Sequence, residues 1–194
     1  MMGESSLRYR SLILVPAALA CLALGAFGYT KVMARIGSGA APAAAPAEHQ
    51  ADSIVVSKQD KRLYLLRGGA VLRTYAISMG SQWDQGHKQR EGDERTPEGR
   101  YLIDWRNPRS MAHLSLHISY PDADDSAWAA SAGVSPGGNI MIHGLPNGWG
   151  ALGGLHRLVD WTDGCIAVTN AEMREIWSLT PDGTPITIHA TWTP

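Results

Sequence analysis

Cysteine is scarce in this chain, with only Cys21 and Cys165 among 194 residues. Cys21 sits in an apolar N-terminal run, so the remainder holds a single thiol and no intramolecular disulfide can form there. Charge is thin as well: 18% of residues are Asp, Glu, Lys or Arg, and the formal net charge is -1. Residues 1–49 contribute Arg8, Arg10, Lys31 and Arg35 against Glu4 and Glu48, which leaves 13 basic and 16 acidic side chains in the rest. A balance of -3 argues against nucleic acid as the main partner, because that binding is dominated by phosphate neutralisation. No internal repeat is present. Tryptophan, by contrast, is plentiful at seven residues, while phenylalanine occurs once.

What the N-terminus has is a run without charge. Arg8 and Arg10 precede residues 11–30, "SLILVPAALACLALGAFGYT". That length suits a helix crossing a bilayer of roughly 30 Å, and it exceeds the apolar core of about 7–15 residues usual in a cleaved signal peptide. Residues 1–36 are therefore predicted to form an uncleaved signal anchor, with the N-terminus cytoplasmic and the rest of the chain exported. "ALA" at 18–20 keeps cleavage and release into the periplasm open, and Lys31 and Arg35 after the run weaken the orientation signal. Cys21 reads as a small apolar residue of that helix; the residues before it fit a lipidation signal poorly. Residues 37–51, "GSGAAPAAAPAEHQA", lack large apolar side chains and read as a flexible or semi-extended tether. The folded domain is expected over residues 52–194, long enough for one core.

Within that domain, residues 53–58 and the two runs flanking Arg67-Gly68-Gly69 read as strands, the latter pair as a hairpin. Residues 79–98 form a long polar loop, and a loop of that length is usually functional or disordered. Strand character returns at 99–105 and at 113–120, where Leu114, Leu116 and Ile118 alternate with Ser115, His117 and Ser119. A short helix is predicted at 124–133, capped by Asp124 or Asp125. Strands follow at 138–144, 165–169 and 184–190, with a helix between the last two capped by Asn170. The class is mainly β, a mostly antiparallel sandwich or barrel with one or two short helices.

Two of these runs end in chemistry. Cys165 opens an apolar strand just after Thr162-Asp163-Gly164, and His143 ends another before Gly144. If the strands are neighbours, imidazole and thiol meet at one sheet end. Such a pair serves nucleophilic catalysis: histidine takes the proton, the ion pair lowers the thiol pKa, and the imidazolium later protonates a leaving amine. On the residues alone a buried, inert cysteine and a structural histidine are the commoner readings.

"IMIHG" followed by "WTDGCIAVTN" resembles the L,D-transpeptidase catalytic domain, the YkuD-type fold. "GDERTPEGRY" at 92–101, "SKQDKRLYLL" at 57–66, "GHK" at 86–88 and "HLSLHISYP" at 113–121 match the family in order, and the likeness covers about residues 53–190. The resemblance implies a β-rich fold with Cys165 as nucleophile, His143 as base, and the Gly164 and Cys165 amides as oxyanion donors. Gly144 would orient the imidazole through its carbonyl. Two positions depart from the family pattern: Asp163 stands where a histidine is usual, and Ala167 where arginine is common. An ionised Asp163 donates no hydrogen bond, so its role becomes orienting a substrate amine, fixing His156, or closing a turn.

His156, Trp149 and Trp161 flank the His–Cys segment and are candidate cleft residues, with core or surface packing as the plainer alternative. The intervals between His143, His156 and Cys165 match no compact metal signature, and no metal or organic cofactor is implied. The charges of "KQREGDER" either meet charged groups of a peptide or simply solvate the loop. His113 and His117 read as structural. The implied activity is peptidoglycan L,D-transpeptidation in the cell envelope, on stem peptides, with an amine acceptor that includes a wall-linked protein lysine. Hydrolysis by the same acyl-enzyme, as a carboxypeptidase or amidase, is the alternative, and a non-catalytic wall-binding module the remote one.

Overall fold

The structure is a computed structural model that describes residues 4–37 and 39–194. The side chains of residues 4–14 and 17 lie outside the description, among them Arg8 and Arg10 of the basic flank. Helix α1 runs over Glu4–Ile36. Along its middle the described apolar side chains are exposed, with Leu19, Leu22, Leu24 and Phe27 all facing outward, while Met33 and Ala34 near its end are half-buried.

The rest is one eight-stranded mixed sheet in the order β3-β2-β1-β8-β4-β5-β6-β7. β1 (Ser53–Ser57), β2 (Arg62–Arg67) and β3 (Ala70–Ala76) form an antiparallel meander. The turn predicted at Gly68-Gly69 is there, with φ of 58° and 79°. β8 (Pro185–His189) returns parallel to β1 and antiparallel to the start of β4 (Gly99–Ser110). β4 is the hinge between the two halves of the sheet. Its first residues pair with β8, and from Ile103 onward it pairs with β5 (His113–Ile118), with register shifts at two places. β6 (Met141–His143) follows antiparallel to β5, and β7 (Ile166–Ala167) lies parallel to β6.

Among the described residues, two α-helices besides α1 flank the sheet. α2 spans Ala123–Ser131 and is capped by Asp122 in a reciprocal box with Asp125, two or three residues earlier than the sequence suggested. α3 spans Asn170–Leu179, with Met173, Ile176 and Trp177 buried against the sheet. Its cap is Thr169 with Glu172, not Asn170. Released from capping, Asn170 uses its Oδ1 to accept the Leu145 N–H at 2.8 Å, which ties down the residue after His143-Gly144. β5 is buried on more than one face: Ser115 is covered as fully as Leu116. The polar side of that strand is therefore covered at Ser115 and half-open at His117, not solvated throughout.

Residues 40–51 lie along the domain. Ala45 N–H donates to Ser178 O, Arg174 holds Ala40 O, and Arg67 holds the carbonyls of Ala47 and Gln50. Small Ala side chains let the backbone approach, and two guanidinium groups satisfy its carbonyls.

Candidate active site

The parallel pairing of β6 with β7 sets the geometry. His143 lies opposite Ala167, so Cys165, two residues before Ala167, projects from the same face as His143. Both side chains line one groove of about 660 Å³, together with Ser115, Met141, Trp161, Thr162 and Asp163. The main chain after the thiol is locked by Val168 N–H to His143 O at 3.0 Å.

The turn before the thiol is built tightly. Gly164 has φ of 122°, and a Cβ there would come 2.5 Å from Arg95 O, so only glycine fits. Thr162 Oγ1 donates to Cys165 O at 2.6 Å and accepts the Gly164 N–H at 3.3 Å. That second bond is long, but it occupies one of the two amides expected to face an oxyanion. Cys165 N–H is the better placed of the two by this measure.

His143 is buried, and its Nδ1 lies 2.7 Å from Gly144 O. A carbonyl only accepts, so Nδ1 carries the proton and Nε2 is left as the basic nitrogen. Burial lowers the His143 pKa, partly opposed by the Gly144 carbonyl. Burial likewise raises the Cys165 pKa, and Asp163 adds to the rise while the Met141 main chain and Lys88 oppose it. The thiol hydrogen points to Asn139 O at 3.6 Å. Both directions run against the sequence-based expectation of a depressed thiol pKa, and burial is the first cause in each.

The remaining candidates divide. Trp161 stands between the two histidines, with ring centroids 5.7 Å from His143 and 6.4 Å from His156. It lines both the thiol groove and an adjoining apolar cavity of about 430 Å³. His156 and Trp149 line only that second cavity. His156 is buried, and its Nδ1 accepts from Trp161 Nε1 at 3.4 Å, with Ser78 Oγ 3.3 Å away. It touches the tryptophan wall and is not among the residues lining the thiol groove. Asp163 is exposed at the groove mouth and also borders a polar pocket with Lys88, Glu91 and Glu94. It does not fix His156, whose ring partners are Ser78 and Trp161.

Sequence reasoning missed three contributors. Asn139, at φ of 56°, supplies the thiol's acceptor. Lys88 is 3% exposed and pairs with Asp93 at 2.8 Å, although its stretch reads as a solvated charge run. Thr162 shapes the turn. A Gly-Gly-Asn sequence before an apolar strand was the available signal for Asn139; nothing in the sequence announced the burial of Lys88.

Comparison with known proteins agrees with this architecture. A family model described as the L,D-transpeptidase catalytic domain, YkuD, matches residues 51–188. No match was found among curated proteins. Among solved structures, the helical cell shape determining protein Pgp2 from Campylobacter jejuni superposes with a TM-score of 0.53 at 22% identity, covering 84% of this chain and 56% of that one. Bd1075 from Bdellovibrio bacteriovorus gives 0.50 at 21% identity, covering 78% and 52%. At such identities the likeness is one of fold, and the chain spans about half the length of either neighbour. With most of its length matched by the family model, the chain belongs to the YkuD family of L,D-transpeptidase catalytic domains.

Proposed function

We propose that the chain is a peptidoglycan L,D-transpeptidase, held to the inner membrane by residues 1–36, with residues 52–194 acting in the periplasm. The observation that carries this reading is the placement of His143 and Cys165 on one face of paired strands, lining one open groove. In the donor step, Cys165 Sγ attacks a stem-peptide carbonyl while its proton passes to His143 Nε2. The tetrahedral oxygen is met by the Cys165 amide and, once Thr162 releases it, the Gly164 amide. Collapse breaks the C–N bond, His143 gives its proton to the departing D-amino acid nitrogen, and a thioester remains. In the acceptor step an amine attacks the thioester, His143 takes the proton, the new amide forms, and the thiol is restored.

A thiol pKa pushed up and an imidazole pKa pushed down by burial suit a proton that moves as the carbonyl is attacked. Asp163 at the groove mouth carries a negative charge where an incoming ammonium would pass, which favours an amine acceptor over water. A stem-peptide side-chain amine and a wall-linked protein lysine both present that chemistry.

The test is intact-mass measurement of the full chain incubated with a tetrapeptide donor. An acyl adduct on the wild type and none on Cys165→Ala is expected. Cross-linked dimers among the products support transfer; shorter monomers alone support the hydrolytic alternative. Donor turnover by Cys165→Ala would overturn the assignment of the nucleophile.

A further inference from the structure

The segment Gly150–Leu158 forms the outer wall of the apolar cavity beside the catalytic groove. Its composition is unusual for a surface. From residue 148 to 159 there is no carboxylate, and the single cation, Arg157, is ion-paired with Glu172. Leu155 and Leu158 lie one 3₁₀ turn apart, so their side chains eclipse on one face. They are 64% and 81% exposed, and Val159 beside them is 63% exposed, whereas His156 between the leucines is 6% exposed. Leu152, before the break at Gly153, is 42% exposed. A soluble surface rarely gathers large apolar side chains this way unless something covers them.

The fold indicates what covers them. The end of α1 docks directly beside this segment. Tyr29 Oη donates to Gly148 O at 3.2 Å, and Trp149 Nε1 donates to Thr30 Oγ1 at 3.0 Å. The Tyr29 and Trp149 rings meet edge to face at 5.7 Å. The approach requires glycine at 148, where a Cβ would come 2.7 Å from both Met33 and Tyr29. Thr30 lines the same cavity as Leu152, Leu155 and Val159.

Tyr29 and Thr30 are also the last residues of the uncharged run that begins at residue 11, and Lys31 follows at once. Tyrosine and tryptophan at such a boundary sit at headgroup level, and Lys31 and Arg35 beyond them are cations of the kind that pair with lipid phosphates. The chain between α1 and β1 leaves little slack, because residues 40–51 are bonded along the domain.

We infer that the 150–159 segment is a lipid-contacting face: its leucines rest in the interfacial layer of the anionic bilayer that α1 leaves, which holds the catalytic groove against the membrane. This rests on the anchor reading proposed above. Thr30 and Ala34 of α1 line the thiol groove itself, so the groove opens beside the bilayer and selects stem peptides in its immediate layer.

The full chain, with Cys21→Ser and Cys165→Ser, is reconstituted into vesicles of phosphatidylethanolamine and phosphatidylglycerol. An environment-sensitive fluorophore is attached at Leu158→Cys, at Leu155→Cys as a second site, or at Val71→Cys on β3 as the distant control. The inference expects blue-shifted emission at 155 and 158, quenched by lipids with a shallow nitroxide, and aqueous emission at 71. If the chain floats with the vesicles but 155 and 158 match 71, the lipid-facing surface is overturned and the anchor stands. If the chain does not float with vesicles, the anchor reading fails and takes this inference with it.

Discussion

In the hairpin, Leu63 and Leu65 are sealed in the core, and the strand that carries them spans six residues with the charged Arg62 and Arg67 exposed at its ends. At the other edge of the same sheet, β6 has three residues and β7 two, yet His143 ends the first and Cys165 immediately precedes the second. The hairpin half is ordered by apolar periodicity. The site half is ordered by buried and half-buried polar side chains that pin long loops: Asn147 on His113 N–H and Ser110 O, Asn170 on Leu145 N–H, Thr162 on the Cys165 turn. Short strands leave few ladder bonds, so loops must be fixed by other means. A polar network fixes position sharply, because each buried group left unpaired costs about 1–3 kcal/mol. That is useful where two side chains from distant segments must meet.

The largest expected effect separates chemistry from scaffold. Cys165→Ala should lower turnover by about 10⁴-fold or more, since the acyl-enzyme cannot form. Leu65→Ala should destabilise the fold by about 3 kcal/mol through its cavity, while donor acylation persists in the fraction that remains folded. Thermal midpoints beside intact-mass acylation read both. Equal loss of acylation in the two variants, with both folded, would erase the distinction between the halves.

A second contrast concerns the joint between them. Lys58 directly follows β1 in the hairpin half and is 1% exposed. Its Nζ donates to Gly86 O, Thr96 O and Glu98, at 2.9, 3.1 and 2.6 Å. Lys58→Met should cost about 2–3 kcal/mol by stranding those acceptors. Amide exchange should rise first in residues 79–98, in contrast to the global loosening from Leu65→Ala. Uniform exchange in Lys58→Met would mean that the loop is held independently of β1.

These contrasts also explain what could be read before the fold was known. The hairpin was legible because Val, Leu and Tyr runs around Gly68-Gly69 encode both strands and turn. The His–Cys pair was legible because each residue borders an apolar run and a glycine, a local pattern. Its pairing depended on β6 and β7 being neighbours, which no local pattern states. The reversal of the expected pKa directions was illegible, because it arises from how much water each group loses on burial. The Gly150–Leu158 segment was missed since a glycine-rich stretch with three-residue period fits neither helix nor strand. Lys58 and Lys88 were unreadable as buried groups; a lysine in sequence suggests solvent, and only tertiary acceptors make it interior.

Glycines sharpen the comparison at smaller scale. Gly68 and Gly164 both have positive φ, 58° and 122°. A Cβ on Gly68 meets nothing within 4 Å, whereas one on Gly164 meets the Arg95 carbonyl. Gly68→Ala should cost about 1 kcal/mol of backbone strain and leave the site untouched. Gly164→Ala should cost about 3 kcal/mol and displace the thiol, reducing acylation well beyond its effect on stability. Denaturant unfolding gives the first quantity and single-turnover acylation the second. Similar penalties at the two positions would show that the turn before Cys165 yields as easily as a surface hairpin.

The smallest effect concerns pH, and it too divides the halves. Residues 53–76 contain no histidine, while His113, His143 and His156 all have pKa values lowered below 6.5, mainly by burial. A base must be neutral to accept the thiol proton. Activity is therefore retained at pH 6.5 and falls only as pH drops through the lowered His143 value. Stability has the same sign: between that value and 6.5 the unfolded chain binds more protons than the native one, so stability rises with pH across the window. Leu65→Ala should shift the whole stability curve without altering this slope. His156→Gln should flatten it, and it should leave the acid limb of kcat/KM in place, because His156 touches Trp161 and does not exchange the reacting proton. A limb that moved with His156→Gln would transfer the proton-accepting role away from His143.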